Sequence, residues 1–385
     1  MKALVLDAEQ KTANVEQIPT PKVGPVEVLI EVHAIALNPI DPLYVFNPLG
    51  ATGRTVGSDF AGIVTELGNS VPASSGLNEG KKVAGFLQGA CSVNDRPGAF
   101  AEFAVSPWDL IWKVPDSWTH DEAAAVNLCG LTAAQAVFPR LGLPSLFSWE
   151  GQKNMQETPK SNHVTYFFVA GASTSVGLYA AQLVRRSAES SGMNLKLLGA
   201  ASKARFNLLK SEPYSYDELV DYRDDDWVEQ IRAFTDGKGV DYAYDCISEG
   251  NTVKMVSDTL CKTGRMAIVR SREGGAWKAD DLPVEPIYGA VWEGLGVEIQ
   301  YQGFTVPASP EARAFAVAFF NWLSREGGLK ANPIRAMPGG LEGIVNDGFA
   351  LLGPGSMQHR ESSRDEPWMV PISAEKLVYR VRNAD

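Results

Sequence analysis

The chain has 385 residues, 45% apolar composition and a formal net charge of −11. That composition supports one large or two medium globular domains, while the acidic balance argues against nucleic acid or an anionic membrane surface as the main partner. No uninterrupted apolar run reaches the ~18–20 residues of a membrane helix, and the opening MKALVLDAEQ carries acids too early for a secretory leader, so a cytoplasmic protein is expected. The first hundred residues read as short strands punctuated by Gly and Pro: ALVL, VEVLIEVHAIAL, DFAGIVTEL, KKVAGFL and AFAEFAV. Such strand density without helical periodicity predicts a compact β-rich barrel. Near Thr119 the pattern changes, and Thr119 with Asp121 and Glu122 marks a helix start. A polar stretch from Pro144 to Asn162 reads as an insertion. Strand and helix then alternate at 163–169 and 175–187, 195–201 and 203–210, 218–222 and 226–236, and 240–246 and 251–261, closing with a strand at 264–269. Repeated units of this kind predict an α/β, parallel, doubly wound sheet. A helix over Glu311–Arg325, a polar insertion over Gly353–Pro371 and a last strand, KLVYRV, follow.

The segment from His163 to Leu183 carries the most chemistry. An uncharged β-run turns through Gly171, Ala172, Ser173, Thr174 and Ser175 into a helix on which Val176, Ala180 and Leu183 recur at helical spacing. Gly171 permits the tight turn, Gly177 lets the helix approach the strand, and the free N–H groups of the helix start suit a pyrophosphate. The usual middle glycine is replaced by small hydroxyl residues, which can donate to phosphate oxygens. An ordinary strand-to-helix turn is the alternative. After the next strand an NAD-binding chain commonly carries an acid for the ribose 2′-hydroxyl; here stand Ser202, Lys203 and Arg205. A hydroxyl and two cations suit a 2′-phosphate, so the expected cofactor is NADPH, the alternative being a solvated basic helix start. Cys91, Cys129, Cys246 and Cys261 form no CxxC pair and read as reduced thiols, Cys246 and Cys261 in apolar, core-like contexts. His33, His120, His163 and His359 have no metal-ligand or triad partner at a recognisable spacing.

Several motifs together resemble the medium-chain dehydrogenase/reductase superfamily. Asn38-Pro39-Ile40-Asp41, Gly57-Ser58-Asp59-Phe60-Ala61-Gly62, Pro97-Gly98-Ala99-Phe100-Ala101-Glu102-Phe103, Leu131-Thr132-Ala133 and Glu375-Lys376-Leu377-Val378 are similar to its zinc-independent quinone-oxidoreductase branch. Gly171-Ala172-Ser173-Thr174, Phe206-Asn207-Leu208-Leu209-Lys210, Val220-Asp221-Tyr222 and Asp245-Cys246-Ile247 resemble the fungal trans-acting enoyl reductases that partner polyketide synthases. The resemblance implies a GroES-like catalytic domain over 1–135, completed by 315–385, and a Rossmann NADPH-binding domain over 136–314. It implies that Asn38, Asp41 and Thr132 lie near the nicotinamide, with Tyr222, Ile268, Val269, Leu377 and Val378 among the cofactor contacts.

Zinc members of that superfamily carry a Cys-His-Thr-Asp segment and a Gly-His-Glu where this chain has Asn38-Pro39-Ile40-Asp41 and Gly57-Ser58-Asp59. With only Cys129 matching a third ligand, an open three-ligand zinc site is not expected. Without a Lewis acid, the resemblance implies NADPH-dependent hydride addition to an activated C=C bond. Related enzymes place a Lys or Tyr two residues after the NPxD aspartate; here Leu43 stands there and Tyr44 follows, so the expected catalytic set is Asn38, Asp41, Tyr44 and Thr132. Asn38 and Asp41 closing a turn, Thr132 packing its helix and Tyr44 wedged between domains are the structural alternatives. The substrate is expected to be a carrier-tethered polyketide enoyl thioester, with a freestanding enone or quinone reductase and a redox-lapsed NADP-binding scaffold as competing readings. Arg270, Arg272 and Lys278 are the candidate basic patch for a carrier domain, and the chain is expected to be a monomer or homodimer.

Overall fold

The structure is a computed structural model and describes residues 1–152, 164–279, 281–326, 328–357, 360 and 364–382. The chain divides into two units, one of Met1–Leu128 with Trp292–Asp385 and one of Cys129–Val291. The first opens with strands β1 (Lys2–Asp7), β2 (Thr12–Gln17) and β3 (Glu27–Ala36), a short helix α1 (Ile40–Phe46), and strands β4 (Asp59–Leu67), β5 (Lys82–Phe86), β6 (Phe103–Pro107) and β7 (Ile111–Lys113). The expected strand AFAEFAV forms only from Phe103 onward, because the N–H groups of Ala99, Phe100 and Glu102 go to scattered carbonyls, those of Gly57, Val56 and Lys2, rather than to one partner strand. Thr119 starts helix α2 (His120–Ala124) with a full capping box, its side chain accepting from Glu122 N while the Glu122 carboxylate takes Thr119 N. Helix α3 (Asn127–Gln135) follows.

The second unit is built from β8 (Thr165–Ala170), α4 (Ser175–Ser191), β9 (Leu195–Ala201), α5 (Phe206–Lys210), β10 (Glu218–Asp221), α6 (Trp227–Ala233), β11 (Val240–Asp245), α7 (Thr252–Asp258) and β12 (Leu260–Ile268). These strands form a five-stranded sheet in the order β10-β9-β8-β11-β12, and every pairing is parallel. The expected doubly wound sheet is therefore observed, with the strand order reversing between β8 and β11, where such sheets bind ligands. Phe168, Leu198, Val220, Ala243 and Met266 fill one face of it. β12 starts at Leu260 rather than 264: the reading that extended α7 to 261 followed apolar spacing, whereas the backbone pairs Val240 with Leu260 across a register shift.

The chain then returns to the first unit through β13 (Ile299–Gln300), β14 (Thr305–Val306), helix α8 (Pro310–Glu326), β15 (Ile334–Met337) and β16 (Lys376–Arg380). The last two complete a seven-stranded sheet, β15-β16-β3-β4-β5-β7, with β6 also on β3. Ile30, Ile35, Phe60, Val64, Phe100, Leu377 and Tyr379 pack its core. Parts of both polar insertions, with His163 and His359, lie outside the described residues. Among the described residues no helix is long and apolar enough to cross a membrane. Cys91, Cys129 and Cys246 are buried thiols in no disulfide, but Cys261 is only half-buried, against the expectation of a core thiol, because the middle of β12 alternates toward solvent.

The first core also holds a polar knot. Asn127, fully buried, accepts from Trp112 Nε1 at 2.7 Å and donates from Nδ2 to Phe60 O at 3.2 Å. An Asn127→Ala change strands an indole N–H and a carbonyl away from water, so urea unfolding should show a loss of about 2–4 kcal/mol. A loss within error of zero would show that the knot contributes nothing.

Candidate active site

The loop after β3 presents Asn38 and, three residues on, Asp41 in the first turn of α1. Asn38 N donates to Asp41 Oδ2 at 2.7 Å, and Ser58 Oγ, from the segment before β4, donates to Asp41 Oδ1 at 2.7 Å. Asp59 opens β4 with its carboxylate held between Asn38 Nδ2 at 3.0 Å and the backbone N–H of Leu128 at 2.8 Å. From the start of β16 the Lys376 ammonium reaches Asn38 Oδ1 at 2.5 Å and Asp59 Oδ2 at 3.2 Å. Asn38, Asp41, Ser58, Asp59 and Lys376 are all buried. Three segments far apart in sequence thus meet in one polar network inside an apolar sheet.

Burial dominates its electrostatics. Loss of solvent pushes the Asp41 carboxyl up to about 7, against the opposing hydrogen bonds from Ser58 and Asn38 N. Burial likewise raises Asp59, with the Lys376 charge pulling the other way, and lifts the neighbouring Cys91 thiol well above its usual range. The turn-closing reading of Asn38 and Asp41 is realised in these bonds. Tyr44, one turn along α1, lies 6.5 Å ring to ring from Tyr301 and is half-buried. Leu377 and Val378 are buried in the sheet beside Lys376.

A catalytic zinc does not fit these residues. Where the zinc members of the superfamily are expected to carry soft or imidazole ligands, the donors are an amide, a hydroxyl and a carboxylate already engaged with one another, and an ammonium sits among them. Among the described residues no group of three or more His, Cys, Asp or Glu could hold a metal ion.

The second unit carries the nucleotide-loop residues. Gly171 follows β8 at φ +73°, where a side chain would be strained and would strike Ile247 beyond β11. Thr174 caps α4, its Oγ1 accepting from Gly177 N at 3.0 Å. A Cβ on Gly177 would come within 2.4 Å of Gly171 O, so glycine there sets how closely helix and loop approach. Ser173, Ser175 and Val176 are half-buried and Ala172 is buried. The arrangement fits a pyrophosphate at the start of a 17-residue helix. Beyond β9, Lys203 is exposed, its N–H donating to Asp221 Oδ2 at 3.3 Å and its ammonium 3.4 Å from Asp224; Ser202 and Arg205 are half-buried. Tyr222 is 53% exposed, and the Arg223 guanidinium lies 4.6 Å from its ring centroid. Ile268 ends β12, and Val269 N donates to Ser248 Oγ. Thr132 lies on α3 within this unit, half-buried.

Four residues of these sites, Ser58, Asp59, Lys376 and Arg223, escaped sequence reading. Ser58, Asp59 and Lys376 sat inside recognised motifs, but nothing local told that they were buried partners of Asp41 and Asn38. Arg223 was signalled only by a cation following Tyr222. The basic patch of Arg270, Arg272 and Lys278 is largely neutralised: Arg270 pairs with Glu249 at 2.9 Å, and Arg272 pairs with Glu285 at 3.2 Å while lying over Trp277.

Residues 24–116 match the alcohol dehydrogenase GroES-like domain, and residues 175–292 match the zinc-binding dehydrogenase family. The chain is 28% identical to the trans-enoyl reductase traG of Penicillium crustosum, over 89% of this chain and 91% of that protein. It is 29% identical to the trans-enoyl reductase ACTTS2 of Alternaria alternata, over 99% and 98% respectively. In structure it is similar to the CurK enoyl reductase, with a TM-score of 0.69 at 18% identity over 98% of both chains. The chain belongs to the medium-chain dehydrogenase/reductase superfamily of nicotinamide-dependent oxidoreductases.

The raised Asp41 pKa makes folding pH-dependent. A carboxyl at about 7 in the folded chain and near 3.8 when unfolded gives stability that is complete below the unfolded value and is lost as pH rises toward 7. The stability difference between wild type and Asp41→Asn should therefore shift against the wild type from about pH 4 to about pH 7, by up to about 4 kcal/mol. A difference that is flat across that window would refute the burial account of Asp41.

Proposed function

We infer that this chain is an NADPH-dependent, zinc-independent enoyl reductase that saturates a polyketide enoyl thioester held on a carrier domain. The observation that carries this reading is the interlocked network of Asn38, Asp41, Ser58, Asp59 and Lys376, whose polar groups are already engaged with one another, in a chain whose curated relatives include trans-enoyl reductases over nearly its whole length. When bound, NADPH supplies hydride to the β-carbon of the conjugated alkene. The residues of the chain have the remaining work: orienting the two reactants, answering charge that develops on the thioester oxygen and delivering a proton to the α-carbon.

We assign roles accordingly. Gly171 to Gly177 hold the pyrophosphate at the start of α4, and Ser202, Lys203 and Arg205, with Tyr222, take the 2′-phosphate. Ile268, Val269, Leu377 and Val378 belong to the cofactor contacts. Asn38, Asp41 and Thr132 serve the nicotinamide and the reacting alkene. Tyr44 is assigned to the substrate and the returning proton. The protein acts in trans on a substrate supplied by a polyketide synthase, in the cytoplasm.

Two measurements test this. Removing two cations from a phosphate site costs roughly 2–4 kcal/mol, so Lys203→Ala with Arg205→Ala should weaken NADPH by tens-fold or more and leave NADH little changed. Equal losses for the two coenzymes would reject the 2′-phosphate assignment. In a side-by-side assay, an enoyl chain on a carrier domain should turn over faster than the same chain on a small thiol, because binding energy far from the alkene orients the reacting end. NADPH consumption by simple quinones or enones but not by any enoyl thioester would replace this reading with that of a freestanding reductase.

A further inference from the structure

Lys376 is 3% exposed, and the carboxylate it faces is fully buried. Burying an ammonium is expensive, and an apolar pair of similar size would hold the sheet at least as firmly. The contacts that this charge makes are specific. Its nearer acceptor is Asn38 Oδ1, at 2.5 Å, and its second is Asp59 Oδ2, at 3.2 Å. The same Asp59 oxygen accepts from the opposite end of the Asn38 amide, at 3.0 Å, while the other Asp59 oxygen is occupied by Leu128 N.

An asparagine amide has two ends of nearly equal size, so packing alone does not choose between its two orientations. Here a flip would turn Nδ2 toward an ammonium and Oδ1 toward a carboxylate. Both contacts would become repulsive in a site sealed from water. The charged pair therefore determines which end of Asn38 is donor and which is acceptor.

We propose that Lys376 is a positioning residue that locks the Asn38 side-chain amide in one orientation and thereby sets the polar group that Asn38 offers to the nicotinamide. The assignment of Asn38 to the nicotinamide rests on the function proposed above; the lock itself does not. Lys376 is a fixed monovalent cation lying among the residues that stand where zinc members of the superfamily are expected to carry metal ligands, and its work is orientation rather than polarisation of substrate.

The test separates this role from simple neutralisation of Asp59. Lys376→Met alone strands a buried carboxylate and can fail to fold, so the decisive protein is Lys376→Met with Asp59→Asn, in which both charges are gone. In the full-length, nitrogen-15-labelled chain, the Asn38 side-chain amide signal, identified by its loss in Asn38→Ala, should exchange slowly with solvent in the wild type. It should exchange several-fold faster, with a changed shift, in the double variant. With an enoyl thioester, kcat of the double variant should fall on the order of 100-fold while the KM for NADPH changes little, and adding Asn38→Ala should cost little more. An amide signal unchanged in the folded double variant, or kcat restored to the wild-type value, would overturn the proposal. Should the wild type reduce no enoyl substrate, the reductase reading fails, and the amide signal still decides whether the lock exists.

Discussion

The first unit is organised around a buried charge pair, Lys376 with Asp59, and the amide of Asn38 that both of them hold. An ion pair inside an apolar sheet exists only if each partner is satisfied, which couples the loop after β3, the start of β4 and the start of β16 into one constraint. β16 is the returning end of the chain, yet it lies between β15 and β3, so the network cannot form until the C-terminal strand is in place. Ser58 and Asp41 extend the network to the first turn of α1. The carboxyl of Asp41 is held by Asn38 N and Ser58 Oγ, with no cation within hydrogen-bonding distance among the described residues, and burial pushes it up to about 7.

The second unit solves a different problem. Its loop must bring backbone N–H groups to one point without a side chain in the way, and it does so with a glycine at positive φ, a threonine cap and a glycine against the loop carbonyl. Ser173, Thr174 and Ser175 in place of the usual middle glycine keep the turn, because none of them needs a positive φ and the strained or crowded positions are Gly171 and Gly177. At the ends of β9 and β10 the carboxylate of Asp221 is turned to backbone N–H groups of Lys203 and Arg223, so an acid near this edge binds the loop itself.

Much of the fold was legible because its signals are local. Thr119 with Glu122 and Thr174 before an apolar helix are start signals that work within one turn, and the strand at Leu195–Ala201 is a run of seven residues bounded by turns. The misread boundary at Leu260 depended on a pairing with Val240 that no local pattern reports. The site was half legible for the same reason. Asn38, Asp41, Ser58 and Asp59 stand in recognisable motifs, but the bond from Lys376 to Asn38 spans 338 positions. The strand KLVYRV announces itself; the inward aim of its first lysine does not. The basic residues Arg270 and Arg272 show the converse, since their acidic partners, Glu249 and Glu285, lie well outside the window in which they looked like a patch.

On the function proposed above, bound NADPH reduces a conjugated alkene beside this network without a metal. The most direct measurement is the fate of the label when exhaustively chelated, metal-free protein is given NADPH deuterated on the transferred face at C4 and an enoyl thioester in ordinary water. The account predicts full turnover with one deuterium at the β-carbon and an ordinary hydrogen at the α-carbon. Turnover that vanishes on chelation and returns with zinc, or deuterium appearing anywhere other than the β-carbon, would contradict it.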